Sequence, residues 1–411
     1  MAKPKAQNRD LNKVPIIYDI PRTVKKDFKV LIAAGGTGGH VMPAATVAGE
    51  LKALYPEADL LFVGAGRPAE GAILDPLGYK RKILKVPTLA GKNPLKAALA
   101  LFSLFKSLVG AASIVRDYKP DICLAFGGYV CGPVGLVAKI FGLPLVLHEQ
   151  NSKPGLTNRL LGRIADLAMV GFPETEEAFK ARRVAYVGNP VRKEIALLGQ
   201  KQKAFEQNPL GPRLLAVGGS QGSKKLNLAV MELAKTLTER QIPFRLTHQT
   251  GTQMEAEVKG RYDALKIEAE VLPFISDMAR AYLEADLAIT RAGALTLAEL
   301  AAAKVPCVLV PLPTAAGDHQ SVNARSLEKM GLARVAPEKD LDSGLLEKIV
   351  LPLIQNPEKL RAMSESVSLE AGDLASVGPK MAKLVLETLR TYLESEAAKS
   401  RDLASKPDKK D

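Results

Sequence analysis

Two Rossmann-like, doubly wound parallel-sheet α/β domains are the architecture that this sequence predicts, on three observations. Short apolar runs alternate with helical patterns almost throughout, which is the signature of parallel sheets covered by helices. The unit strand, glycine-rich turn, helix occurs twice, as GGTGGH within Phe28 to Leu54 and as GGSQG within Arg213 to Leu237. At 411 residues the chain also exceeds what one hydrophobic core usually organises.

Taken in order, residues 1–27 form a polar, basic, proline-bearing arm that is expected to be flexible. The first domain spans 28–192, with strands at Lys29–Ala34, Leu60–Val63, Ile122–Phe126, Leu145–Leu147 and Leu167–Val170 and a helix from Pro43 to Leu54. The stretch from Lys193 to Pro212 turns polar, with Gln200, Gln202, Gln207 and Pro209, and marks the boundary. The second domain spans 193–376, with strands at Arg213–Val217, Phe244–Thr247, Leu287–Ile289 and Val305–Val310 and helices over Asn227–Arg240 and Leu295–Ala303. A helical run over 377–393 fits either domain on pattern alone, and the charged tail 394–411 is expected to fray.

Composition narrows the partners. Cys123, Cys131 and Cys307 are too few, and odd in number, for a disulfide framework, so buried free thiols in a reducing compartment are expected. No charged, apolar, small-residue leader opens the chain, so secretion is not expected. A net charge of +13 calls for an anionic partner. Nucleic acid is disfavoured by the absence of Trp and of any nucleic-acid-binding motif. An anionic membrane surface fits better. In GKNPLKAALALFSLFK (Gly91–Lys106), Leu95, Leu99, Phe102 and Phe105 share about one helical face, flanked by Lys92, Lys96 and Lys106. A core helix packed on a sheet would read the same way, and both readings stand at this point. The stretch is too short to span a bilayer.

Several motifs carry chemistry. Gly35-Gly-Thr-Gly-Gly-His40 follows a strand and opens a helix, a place where backbone N–H groups and the helix dipole favour an anion. It lacks both the G-x-G-x-x-G dinucleotide spacing and a P-loop Lys-Ser/Thr pair. His40 stands at a helix N-terminus, which favours neutral imidazole and hence a base; a polar helix cap is the plainer reading. Gly127-Gly-Tyr-Val-Cys-Gly-Pro133 repeats the strand–turn–helix arrangement. Leu147-His-Glu-Gln-Asn151 then gathers polar groups at a strand end, where His148 and Asn151 are candidates to bind sugar or phosphate and Glu149 is a candidate loop tie. Arg192, in Gly188-Asn-Pro-Val-Arg192, and Ser220, in Gly218-Gly-Ser-Gln-Gly222, suit a diphosphate, although an ordinary salt bridge would also account for Arg192. Glu299 lies on a helix opened by Arg291-Ala-Gly-Ala-Leu-Thr-Leu-Ala-Glu299, where a carboxylate can accept both hydroxyls of a ribose. The polar loop Asp318-His-Gln-Ser-Val-Asn-Ala324 suits sugar recognition. Asp340-Leu-Asp342 resembles a metal-binding pair but reads as a turn, so neither metal nor cofactor is expected.

In this order the seven motifs closely resemble the bacterial family of UDP-N-acetylglucosamine–N-acetylmuramyl-(pentapeptide)-pyrophosphoryl-undecaprenol N-acetylglucosaminyltransferases, over roughly residues 28 to 395. The resemblance implies the GT-B fold, with two domains facing across a cleft and the C-terminal helix crossing back to the first. It implies a hexosyltransferase of peptidoglycan synthesis that moves N-acetylglucosamine from UDP to the 4-hydroxyl of a membrane-borne acceptor lipid, with inversion. The location implied is peripheral, on the cytoplasmic face of the plasma membrane, near other cell-wall synthesis proteins. By position, the resemblance makes His40 the general base and puts Thr37, Gly38 and Gly39 in the first turn. Asn151 would contact the donor sugar, Arg192 and Ser220 the diphosphate, and the Ile275 main chain the uracil. Ala294, Leu295, Thr296, Leu297, Ala298 and Glu299 would bind phosphate and ribose, and Gln320 the sugar hydroxyls. Cys131 departs from the family, where Ser is common, and the basic arm is longer than in the family. A diacylglycerol acceptor, a non-catalytic binding protein and a dehydrogenase are the weaker alternatives.

Overall fold

The computed structural model describes residues 25, 27–36, 38–86, 94–200, 205, 208–219, 222–313, 318–367 and 376–404. Its first sheet has seven parallel strands in the order β3-β2-β1-β4-β5-β6-β7. They are β1 (Lys29–Ala33), β2 (Asp59–Gly64), β3 (Lys80–Ile83), β4 (Ile122–Ala125), β5 (Leu145–Glu149), β6 (Leu167–Val170) and β7 (Val184–Tyr186). The second sheet has six, in the order β10-β9-β8-β11-β12-β13. These are β8 (Arg213–Val217), β9 (Arg245–Gln249), β10 (Ala269–Leu272), β11 (Leu287–Thr290), β12 (Cys307–Leu309) and β13 (Ala333–Val335).

Every strand predicted from sequence is present. The four that the sequence reading lacks, β3, β7, β10 and β13, are the four sheet edges. Interior strands are buried on both faces, so β4 and β6 read as unbroken apolar runs, and β1 and β5 do so apart from Lys29 and the terminal His148 and Glu149. An edge strand needs no such run: β3 is KRKI and exposed along its length.

Helices cover both faces. In the first domain they are α1 (Gly38–Leu54), α2 (Pro68–Leu74), α3 (Pro94–Tyr118), α4 (Cys131–Ile140) and α5 (Leu156–Leu161). After the short α6 (Lys193–Ala196) the second domain carries α7 (Lys224–Glu239), α8 (Glu255–Ala264), α9 (Met278–Glu284), α10 (Ala294–Ala302), α11 (His319–Lys329), α12 (Leu345–Ile354) and α13 (Pro357–Glu365). The last helix, α14 (Val377–Ala404), returns to the first domain. Its Met381, Val385 and Leu389 are buried in one cluster with Val41, Ala45 and Ala48 of α1. It continues well past residue 393, where the sequence predicts fraying. Arg390 pairs with Glu394 and Lys399 with Glu396 at helical spacing, supporting the exposed turns.

The core-helix reading of α3 holds for only part of its length. Its C-terminal half covers the sheet through Ala111, Ile114 and Val115. Upstream, Phe102 and Phe105 are 58% and 63% exposed, with the Lys106 ammonium 4.7 Å from the Phe102 ring centre. The side chains of Leu95 and Leu99 lie outside the described residues. Among the described residues no helix is long and apolar enough to cross a membrane.

Candidate active site

Both sheets reverse their winding at one point, between β1 and β4 in the first and between β8 and β11 in the second. A doubly wound sheet opens its ligand crevice at the carboxyl ends of those strands. The glycine motifs occupy those places: Gly35–His40 follows β1, Gly127–Pro133 follows β4, Gly218–Gly222 follows β8 and Arg291–Gly293 follows β11.

In the first domain the two turns are pressed together. Gly35 N donates to Gly127 O at 3.4 Å, and a Cβ on Gly128 (φ +86°) would stand 2.3 Å from Gly35 O. Only glycine fits so close an approach. The helix α1 starts at Gly38, earlier than the predicted Pro43, so His40 sits in its first turn. The His40 Nδ1 is 3.1 Å from Gly35 O. A carbonyl can only accept, so Nδ1 carries the proton and Nε2 keeps its lone pair. A Cβ on Gly127 would come 2.9 Å from that Nε2, so the ring lies against the second turn. Desolvation lowers the His40 pKa; Glu149 and the Gly35 carbonyl oppose this, and His319 of the other domain adds to it.

Glu70, which the sequence reading passes over, holds this loop. Its buried carboxylate accepts from Gly36 N at 2.9 Å, Ala65 N at 3.0 Å and Gly66 N at 2.8 Å. Glu149 performs the equivalent service after β5, accepting from Asn151 N, Asn151 Nδ2, Gly155 N and Asn158 Nδ2 at 3.0 to 3.2 Å. His148 is no ligand-binding group. It is buried, its Nε2 donates to Gly188 O at 3.2 Å, its Nδ1 accepts from Gln150, and burial drops its pKa to about 4. Its position inside β5 points it into the sheet packing. Cys131 Sγ bridges Gly127 and Ala33 O, and burial raises its pKa to about 12, leaving an inert thiol.

In the second domain, Gly222 (φ +73°) leads into Ser223, whose Oγ caps α7 at Leu226 N. Arg291 reaches Ser223 Oγ at 2.5 Å, donates to Val310 O at 3.2 Å and pairs with Glu338. It ties the loops around the switch point. Arg192 and Glu299 meet: Nη2 and Nε of the guanidinium lie 3.0 and 3.3 Å from Glu299 Oε1. The Tyr282 hydroxyl donates to Oε2 at 3.1 Å. Burial raises the Glu299 pKa against the pull of Arg192 and Tyr282.

Ala294 and Leu297 of α10 are buried in the second-domain core, so their side chains are committed to packing. Leu295, Thr296 and Ala298 are partly exposed. Ile275 is buried in the loop after β10, and Gln320 Oε1 accepts from Leu312 N at 3.0 Å. Thr37 and Ser220 lie outside the described residues, while Gly38 and Gly39 open α1. The Asp340–Asp342 pair lies in a 3-10 turn (Glu338–Ser343), where Asp342 pairs with Lys225. Among the described residues no group of three or more His, Cys, Asp and Glu is placed to hold a metal ion.

The two halves touch. Ser152 donates from N and Oγ to Asn323 Oδ1 at 3.0 and 2.7 Å, and Asn323 Nδ2 donates to Asn151 Oδ1 at 3.3 Å. Ser326 donates to Glu174 at 2.8 Å. Asn323 is fully buried by this contact.

Residues 30–170 match the model of the glycosyltransferase family 28 N-terminal domain, and residues 213–377 that of the family 28 C-terminal domain. The chain belongs to glycosyltransferase family 28. Its relatives match most of its length. One from Anaeromyxobacter sp. (strain Fw109-5) is 38% identical over 91% of this chain and 97% of its own. One from Alcanivorax borkumensis is 42% identical over 79% and 89%. Both are named UDP-N-acetylglucosamine–N-acetylmuramyl-(pentapeptide) pyrophosphoryl-undecaprenol N-acetylglucosamine transferase, the family that the sequence motifs resemble. The crystal structure of Acinetobacter baumannii MurG superposes with a TM-score of 0.69 at 30% identity, covering 88% of this chain and 99% of that one. The GT-B arrangement expected for family 28 is the one observed.

Proposed function

We propose that this family 28 enzyme transfers N-acetylglucosamine from UDP-N-acetylglucosamine to the muramyl 4-hydroxyl of the undecaprenyl-pyrophosphoryl-N-acetylmuramyl-pentapeptide acceptor, inverting the anomeric carbon. The observation that carries the reading is His40, whose only proton-free ring nitrogen lies between the two first-domain turns. Its Nε2 takes the proton of the acceptor hydroxyl, which attacks the anomeric carbon as UDP leaves. The Gly35–Gly39 turn faces the acceptor's pyrophosphate.

On the other wall, Ser220, Arg192 and the starts of α7 and α10 receive the donor diphosphate, and its developing charge is stabilised there. Glu299 binds the ribose, the Ile275 main chain the uracil, and Gln320 and Asn151 the sugar hydroxyls. No metal is required.

The protein works peripherally on the cytoplasmic face of the plasma membrane, alongside other cell-wall synthesis proteins. In support, Phe102 and Phe105 of α3, Ile140 of α4 with Phe141 just past its end, and Leu156 and Leu160 of α5 are exposed on neighbouring elements, with Arg159 and Arg163 also exposed. That combination of apolar and basic groups suits an anionic bilayer.

The deciding experiment follows radiolabel from UDP-N-acetylglucosamine onto the undecaprenyl acceptor and onto diacylglycerol in parallel. Label must enter the first and not the second. Transfer to diacylglycerol alone, or to neither, overturns the reading.

A further inference from the structure

We propose that Tyr282 is a positioning residue that sets the enzyme's preference for a ribonucleotide donor over a 2′-deoxyribonucleotide. The inference rests on the reading of Glu299 as the ribose ligand. Two hydroxyls can be held by one carboxylate only if that carboxylate is ionised and fixed in rotation, because both oxygens must present lone pairs in set directions. Nothing in the sequence of α10 provides this. Glu299 lies mostly buried, and burial alone favours the neutral acid, which would turn one acceptor oxygen into a donor.

Two groups counter that tendency. Arg192 holds Oε1, but the proposed reaction gives Arg192 a second duty at the diphosphate. Tyr282 bonds the other oxygen. It lies on α9, is 2% exposed within the second-domain core, and directs its hydroxyl at Oε2 over 3.1 Å. So deep a hydroxyl cannot reach a nucleotide itself. Its influence on a ligand passes through the carboxylate, whose second oxygen it anchors while Oε1 stays open to exchange between Arg192 and the ribose. The hydrogen bond thus fixes which face of the carboxylate meets the 2′- and 3′-hydroxyls.

The test compares UDP with 2′-deoxy-UDP by titration calorimetry on the full-length protein, in wild type and in Tyr282→Phe, which keeps the buried ring. Loss of a hydrogen bond to a charged acceptor is expected to weaken UDP about 10-fold or more. The deoxy analogue, which keeps only the 3′-hydroxyl, is expected to weaken several-fold less than UDP, so the preference narrows. In turnover assays KM for the donor rises while kcat holds. Equal weakening of both nucleotides would mark Tyr282 as merely structural, and no weakening of either would remove it from recognition; both overturn the proposal. Glu299→Gln is measured alongside. If it leaves the UDP to deoxy-UDP ratio unchanged, the ribose reading of Glu299 itself fails, which separates that failure from one confined to Tyr282.

Discussion

Replacing Glu70 with glutamine should damage both stability and turnover, because this one side chain serves the fold and the site together. Its Oε1 accepts from Gly36 N and Ala65 N, and its Oε2 from Gly66 N. In Glu70→Gln the carbonyl oxygen can serve the first two donors, but the NH₂ then faces the Gly66 N–H, donor against donor. Two charge-assisted bonds become neutral ones, each weaker by about 1 kcal/mol. A third is lost and leaves a buried donor unsatisfied, at about 1–3 kcal/mol. The expected destabilisation is about 3–5 kcal/mol, read from the first transition in urea unfolding. The Gly35 carbonyl that receives His40 Nδ1 belongs to the same loop. A shift of the loop by about 1 Å therefore predicts a fall in turnover on the order of 10- to 100-fold. A variant within about 0.5 kcal/mol of wild type, with normal turnover, would refute the assignment of Glu70 as the loop's anchor.

Four further outcomes are expected. For His40→Ala, turnover should collapse while calorimetric UDP affinity stays; in the wild type the acid limb of the rate profile should lie below pH 6.5, the ordinary histidine value, since desolvation lowers the His40 pKa. Near-normal turnover of the variant, or a limb above 6.5, would contradict the base role. His148 and His248 are both buried with pKa values near 4, against 6.5 when unfolded. The unfolded chain therefore binds more protons between those values, and stability should fall from pH 6.5 towards 4 by roughly 3 kcal/mol per histidine; a urea midpoint flat across that window would be inconsistent with this. Phe102→Glu with Phe105→Glu should weaken cosedimentation with anionic liposomes several-fold, and unchanged binding would take this face out of the membrane contact. Turnover should survive EDTA; abolition by chelator with rescue by Mg²⁺ or Mn²⁺ would show a metal requirement.

What the sequence discloses and what it conceals divide along one physical line, the distance over which a residue's role is decided. An interior parallel strand must be apolar on both faces whatever surrounds it, so β1, β4, β5, β8 and β12 can be read from their own residues. An edge strand such as β3 or β10 is made a strand by its neighbour's unpaired backbone, and no local pattern announces that. The site follows the same rule. A glycine turn between strand and helix is visible because turn geometry needs glycine locally, and the switch points then bring those turns together in pairs. Its anchors are different. Glu70 holds Gly36 from 34 residues away, and Asn323 meets Ser152 across 171. Tyr282 stands 17 residues from Glu299, on a helix whose sequence looks like ordinary core. His148 shows the converse error. Polar residues at a strand end suggest a ligand, but a histidine still inside the ladder is turned by the two-residue period into the packing, where Gly188 and Gln150 occupy both its nitrogens. Register, which the sequence leaves open, decides which polar groups at a strand end turn into the packing as His148 does, while Asn151, just past the end of β5, meets Asn323 of the second domain.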